Sequence, residues 1–306
     1  MRDLDLTSLR LFVATCDHRN IARAGLQAHI GASAISKRLA QLEEAVGAPL
    51  LERQRRGVVP TAAGELLLGH ARALLAASDR LARDMADHGR GVKGQVRVLA
   101  SLSAIAEFLP DDIAAFLQHP DHADIRVDIA EGPTSEMARS IREGLAPLGV
   151  GWDAADLEGL RTRPYRSDHL AIVAHPAHPI ARRPHCAFVD TLGYEHVGLP
   201  ASTAVYTLLA RAAALAGRPL NYRAVVSTFD ASLRCVRAGL GIAVVPREVA
   251  EPMAGGNGFV VVPLTDAWAR RRFTLCFKDE AGLSPAARLL LDHLERAGRG
   301  HSTGPV

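Results

Sequence analysis

Hydrophobic residues return along this chain with two different periods, and the change from one to the other divides it. From Leu6 to Cys16 the apolar positions Leu6, Leu9, Phe12, Val13 and Cys16 recur every three or four residues, which predicts a helix with one buried face. Asn20 is placed to cap a second helix running to about Ala28, whose inner face of Ile21, Ala24 and Gly25 is small enough for another helix to come close. His29, Ile30 and Gly31 read as a short turn, for which Gly31 is suited because positive φ costs it nothing. Helical spacing resumes at Ser33 and runs through Ile35, Leu39, Leu42 and Val46, so two short helices follow one another across a three-residue break.

The second helix of this pair opens Ala32-Ser33-Ala34-Ile35-Ser36-Lys37-Arg38, with short polar and basic groups opposite Ile35 and Leu39, an arrangement suited to the major groove of double-stranded DNA. Residues 50–61, LLERQRRGVVPT, then read as a short extended segment with a basic tip at Arg53, Arg55 and Arg56 around Gly57. An isolated arginine triplet is ordinarily a solvated loop. Beside a helix-turn-helix it reads as a wing that grips phosphate or the minor groove. Thr61 can cap a long helix reaching roughly His88, along which Leu67, Leu74, Leu81 and Met85 repeat near a heptad. That stripe suits pairing with a second subunit; packing on its own domain is the alternative.

Beyond the glycine-rich break at residues 89–94 the pattern becomes one of short apolar runs alternating with helical stretches, as an α/β domain requires. Strand 95–100, helix 104–118, strand 125–130, helix 135–143 and strand 148–152 make a βαβαβ set. Strands 170–174 and 196–199, helix 204–216, strand 224–226, helix 230–238 and strand 242–245 make a second. A last strand, 273–277, and helix 285–297 return to the first set, with crossings near Pro164 and Pro263. The expected organisation is therefore a winged helix-turn-helix over 1–61, a linker and dimerisation helix over 62–90, and a two-lobed α/β domain over 94–300. Its first lobe takes about 94–163 and 267–300, and its second about 164–266.

Composition narrows the function classes. A chain of 306 residues exceeds what one core usually organises, and 48% hydrophobic with 23% charged residues excludes disorder. The net charge of +3 permits a basic patch without requiring one. Cys16, Cys186, Cys235 and Cys276 lie far apart with no C-x-x-C pair, which points to reduced thiols in the cytoplasm and to no metal site. The first residues lack the apolar core of a signal peptide, and no stretch approaches membrane-spanning length, so no membrane partner is expected.

Three stretches, AISKRLAQLE at 34–43, GAPLLER at 47–53 and PTAAG at 60–64, closely resemble the LysR-type transcriptional regulators in residue and spacing. Departures stand at Asn20 for a serine, Gly25 for the second alanine of a pair, and Ala32 for the glutamine that opens the recognition helix. Ala32 can offer a thymine methyl apolar contact but no hydrogen bond to adenine. The resemblance implies Ala32, Ser33, Ser36 and Lys37 at the bases and nearby backbone and Arg56 at the wing, and Arg38, Arg53 and Arg55 join them from the charge pattern. It extends more loosely through SLSAIAEFLP from Ser101 and AGLGIAVVP from Ala238, and implies a periplasmic-binding-protein-like effector domain. It further implies a small-molecule effector, self-association as dimer or tetramer, contact with RNA polymerase, and no cofactor.

In such a domain the strand-to-helix turns face the cleft, and free N–H groups at helix starts favour anionic or polar ligands. Ser101, Ser103, Thr134, Ser135, Ser202, Thr203 and Thr228 occupy these turns; each alone reads more readily as a helix cap, and convergence is what would make them a site. His175, His178 and His185 read as a surface loop, and Gly239–Val244 as packing, since a dinucleotide fingerprint needs a third glycine and follows its strand. With no G-x-S-x-G, H-E-x-x-H or P-loop motif, catalysis is not expected. A non-catalytic ligand-binding protein would not explain the N-terminal third, and an architectural DNA binder would leave the two lobes without a purpose.

Overall fold

The computed structural model describes residues 4–54, 57–87, 94–254, 256 and 258–301. The chain divides into two compact units, one of Met1–Gly89 with Glu143–Leu145 and the other of Arg90–Arg142 with Ala146–Val306. No described helix is long and apolar enough to cross a membrane.

The first unit contains α1 (Leu6–His18), α2 (Ile21–Ala28), α3 (Ala32–Val46), a hairpin of β1 (Leu51–Gln54) and β2 (Gly57–Pro60), and α4 (Ala62–Asp87). Asp5 caps α1 by accepting from the amides of Thr7 and Ser8, and Asn20 caps α2 by accepting from that of Arg23. Leu9, Phe12, Cys16, Ile35, Leu39, Leu42, Leu50 and Leu68 form one core, in which the predicted faces of α1 and α3 meet. The turn between α2 and α3 differs from expectation. His29 takes the left-handed conformation (φ 53°), closing α2 with its amide, while Gly31 is extended and caps α3 without a side chain. A glycine is needed earlier, because a Cβ on Gly25 would stand 2.6 Å from the carbonyl oxygen of Ile30.

Two motif residues tie the hairpin to the helices. Glu43 accepts from the amides of Leu50 (2.7 Å) and Leu51 (3.2 Å), fixing the entry to β1 from α3. Thr61 donates to the carbonyl of Pro49 and accepts from the amide of Gly64, so it caps α4 and closes the hairpin at once.

The second unit is an α/β structure on nine strands. Its first set comprises β3 (Gly94–Ala100), α5 (Leu102–Glu107), α6 (Leu109–Leu117), β4 (Ile125–Glu131), α7 (Thr134–Arg142) and β5 (Leu148–Trp152), after which β6 (Arg161–Ala174) runs on. The next set is β7 (His196–Gly198), α8 (Ala204–Leu215), β8 (Tyr222–Val225), α9 (Phe229–Arg237), β9 (Ile242–Pro246), α10 (Arg247–Ala254) and β10 (Val260–Pro263). β11 (Arg270–Phe277) and α11 (Pro285–His301) complete the chain.

Strands β4, β3 and β5 pair in parallel, with β11 antiparallel to β5 and to the first part of β6. From Leu170 onward β6 instead pairs with β9 and β10, and β9, β7 and β8 continue in parallel. One strand thus serves two sheets, changing partners between His169 and Leu170, and each sheet has its own apolar core.

Two elements depart from the sequence pattern. The helix expected over 104–118 breaks at Phe108 (φ −144°), because Pro110 in the first turn of α6 has no N–H to continue α5. The strand expected at 170–174 begins at Arg161, through a polar run the apolar pattern does not mark. Its charges are neutralised by distant partners: Arg163 by Glu280, Asp292 and Glu295, and Arg166 by Asp112.

Candidate functional site

On the first unit, Ala32 and Ser33 stand exposed at the start of α3, ahead of the buried Ile35, and Ser36 is half-buried. Gly31 offers no capping side chain, so the start of α3 has no side-chain acceptor of its own at the positive end of the helix dipole, where phosphate is favoured. Lys37 and, on β1, Arg53 are exposed, and neither has an ion-pair partner among the described residues. Arg38 differs, since its guanidinium pairs with Asp5 at 2.9 Å and ties α3 to the cap of α1. The hydroxyl of Ser8 and the nearby backbone amides hold Asp5 below the usual carboxylate range. Arg55 and Arg56 lie outside the described residues.

Along α4 the expected stripe separates. Leu67 packs on the core of the first unit, whereas Leu74, Leu81 and Met85 are exposed, as is Leu66.

In the second unit the predicted hydroxyl residues converge unevenly. A small cavity of about 40 Å³ is lined by Ser101, Ser103, Glu131, Thr134, Ser202 and Thr203, room for roughly two or three waters or one carboxylate. Beside it a cleft of about 850 Å³ shares Thr134 and Ser202 and adds Ser135, with Trp152, Phe188, Leu208, Arg211 and Trp268 on its walls. That volume lies within the range of small-molecule sites. Thr228 lines neither cavity; it caps α9 by accepting from the amide of Ala231.

Hydrogen bonding sorts the hydroxyls further. Thr203 donates to the carbonyl of Pro200 (2.8 Å) and accepts from the amide of Tyr206 (3.2 Å), so both its functions are used by the fold. Ser101 accepts from the amide of Ala104, and Ser103 accepts from the guanidinium of Arg271 at 3.0 Å. Neither gives its own proton to an acceptor among the described residues. Both are buried and line the small cavity, so they offer O–H donors to whatever enters.

Family models decide what this pair of sites belongs to. Residues 6–65 match the bacterial regulatory helix-turn-helix protein of the lysR family, and residues 89–299 match the LysR substrate binding domain. The chain belongs to the LysR family. It is a DNA-binding transcriptional regulator with an effector-binding domain. Among curated relatives it is similar to the HTH-type transcriptional regulator GbpR of Azospirillum brasilense, 26% identical over 299 residues that cover 96% of this chain and 86% of that one. It shares its fold with full-length CbnR solved in complex with its target DNA, at a TM-score of 0.69, 20% identity and coverage of 96% and 100% of the two chains. It does so too with the effector binding domain of QuiR in complex with shikimate, at a TM-score of 0.59, 18% identity and coverage of 69% and 99%.

Several residues of this LysR-type regulator were invisible to sequence reasoning. Trp152 and Trp268 are the only tryptophans of the chain and both line the cleft, yet they lie in separate segments with no common motif. Arg271, which orients Ser103, is 168 residues away from it in sequence. His175 and His178 each accept a backbone amide two residues on, which accounts for their position before a turn. Burial raises the thiols of Cys16 and Cys276 to about 12, so neither is a nucleophile near neutral pH.

Proposed function

We propose that this LysR-type regulator reads operator DNA with the start of α3, through Ala32, Ser33, Ser36 and Lys37. Arg53, with Arg55 and Arg56 next to it in sequence, grips the adjacent backbone, and Arg38 holds α3 in place through Asp5. The effector enters the cleft between the two sheets of the second unit and seats a carboxylate against the hydroxyls of Ser101 and Ser103. Thr134, Ser135 and Ser202 line its path, and Thr203 shapes the cavity wall. The observation that carries this reading is the pair of buried serines that each accept one hydrogen bond and give their protons to no acceptor among the described residues.

The exposed Leu74, Leu81 and Met85 of α4 support pairing with a second copy, and the assembly is a dimer or a tetramer of two dimers. Effector binding shifts the equilibrium between lobe arrangements and so changes how the paired subunits engage DNA and RNA polymerase. The regulator works in the cytoplasm without catalysis.

A thermal-shift screen of small metabolites, comparing each organic acid with its primary amide, tests the cleft. Acids stabilise the protein and lose that effect in Ser103→Ala; amides and acids acting alike in both proteins would refute the serine site. A gel shift on the region upstream of the regulator's own gene, across a salt series, tests the DNA face.

A further inference from the structure

Where β6 leaves one sheet for the other, four charged side chains meet. Asp168 and Arg271 are cross-strand partners on β6 and β11, and the guanidinium of Arg271 grips both carboxylate oxygens of Asp168. Glu107, at the end of α5, lies 3.6 Å from the same guanidinium, and its side chain has no solvent exposure. Glu248, in the first turn of α10, brings a carboxylate oxygen within 4.8 Å of those of Glu107 and Asp168, and accepts the amide of His169. The groups facing Glu107 are therefore Asp168 from β6, Arg271 from β11 and Glu248 from α10.

Both oxygens of Glu107 lack a hydrogen-bond donor among the described residues. An ionised carboxylate in that position would be stripped of water with nothing to replace it, a state that buried groups avoid. Charge counting agrees. Asp168 and Arg271 cancel, so an ionised Glu107 would leave the three buried groups at net −1, facing further negative charge on the more exposed Glu248. A neutral Glu107 brings those three to zero, and its O–H gains an acceptor in an oxygen of Asp168. Burial first, and the Asp168 charge second, accordingly push the Glu107 carboxyl well above the usual carboxylate range.

The geometry points to Glu107 as the protonated partner of Asp168 in a buried acid–carboxylate pair, whose single proton is a pH-sensitive latch at the strand crossing between the two sheets. Losing that proton places like charges from α5, β6 and α10 against one guanidinium, so the crossing loosens as pH rises. Glu107 acts through Asp168 and Arg271 and is a positioning residue.

The sign follows from linkage. Folding takes up a proton that the unfolded carboxyl releases near pH 4.3, so this contribution is complete below that value and is lost as pH rises to the folded pKa of Glu107. The experiment is denaturant unfolding of the full-length protein, followed by tryptophan fluorescence, across about pH 5 to 8. Between the unfolded and folded values the wild-type folding constant falls tenfold per pH unit more steeply than that of Glu107→Gln. Equal slopes overturn the proposal. Glu107→Met, which also removes the proton, replaces Glu107→Gln if the amide variant fails to fold.

Infrared spectroscopy of the wild type reads the same proton directly, as an un-ionised carboxyl band at pH 7; its absence overturns the proposal. Hydrogen exchange over residues 164–172 and 266–273, corrected for intrinsic rates, should rise at least tenfold at alkaline pH in the wild type and stay flat in the variant. A parallel rise in both removes the latch. If Mg²⁺, Ca²⁺ or Mn²⁺ stabilised the wild type and not Glu107→Gln at pH 7, a metal ion would hold the place assigned to the proton, and the proposal would fall.

Discussion

The two units use the same residue types in opposite ways. On α3, Ser33 and Lys37 are exposed at the surface of a single small core, and nothing in the described structure competes for Lys37. In the second unit Ser101 and Ser103 are buried, and what they can offer a ligand is set by an amide and a guanidinium behind them. A surface meant for a polyanion needs only to leave its charges free. A cleft meant to discriminate a small molecule needs every other hydrogen bond settled, so that the remaining donors define the ligand.

The contrast is broken most forcefully at Arg271. Arg271→Met leaves Asp168 buried without its partner and should cost about 3–5 kcal/mol. Tryptophan fluorescence reports it, because both tryptophans lie in the second unit. An unchanged denaturation midpoint would show that the ion pair is dispensable.

Acid should also act on the second unit first. Burial lowers the imidazole of the fully buried His196 to about 4, so its neutral form is stabilising above the unfolded value near 6.5, and that contribution is lost as pH falls toward 4. The span corresponds to about 3 kcal/mol, and His196→Gln should flatten the pH profile of the fluorescence transition over that window. In the first unit, Asp5 is half-exposed and its stabilisation fades only below the ordinary carboxylate range.

Lys37→Ala should weaken operator binding roughly tenfold, about 1.4 kcal/mol, and lower the slope of log affinity against log salt by about 1. Arg38→Ala should change that slope less, since Arg38 already spends its charge on Asp5. Equal salt slopes for the two variants would erase the distinction. The smallest expected effect is at Thr228: Thr228→Ala should cost about 1 kcal/mol as a lost helix cap. It should leave untouched the response to any acid found by the thermal-shift screen, whereas Ser103→Ala abolishes that response.

Local signals made the first unit almost fully legible. Its helices, the caps at Asn20 and Thr61, and the hairpin all follow from contacts a few residues apart, and the misjudged detail was which turn residue takes positive φ, His29 in place of Gly31. The second unit was legible only as an alternation of strands and helices. The polar start of β6 reads as loop until Arg163, Arg166 and Asp168 find partners on α11, α6 and β11. The short β10, an edge strand ending in Pro263, is an apolar run too brief to show alternation, and its pairing with β6 appears only in the fold.

Sequence alone determined the family, most of the element order short of α10, β10 and the break between α5 and α6, and the residue types at each helix start, because periodicity and capping act over one or two turns. Tertiary structure alone decided which hydroxyls remain free. Thr203 is consumed as a cap and Thr228 caps α9 away from both cavities, while Ser103, on the cavity wall, is held by a guanidinium reached only when β11 folds back beside α5. The same closure sets Arg271 against Asp168, 103 residues away, and leaves Glu107 without a donor among the described residues. No short-range pattern can specify such a meeting, since it exists only after two sheets have packed around one shared strand.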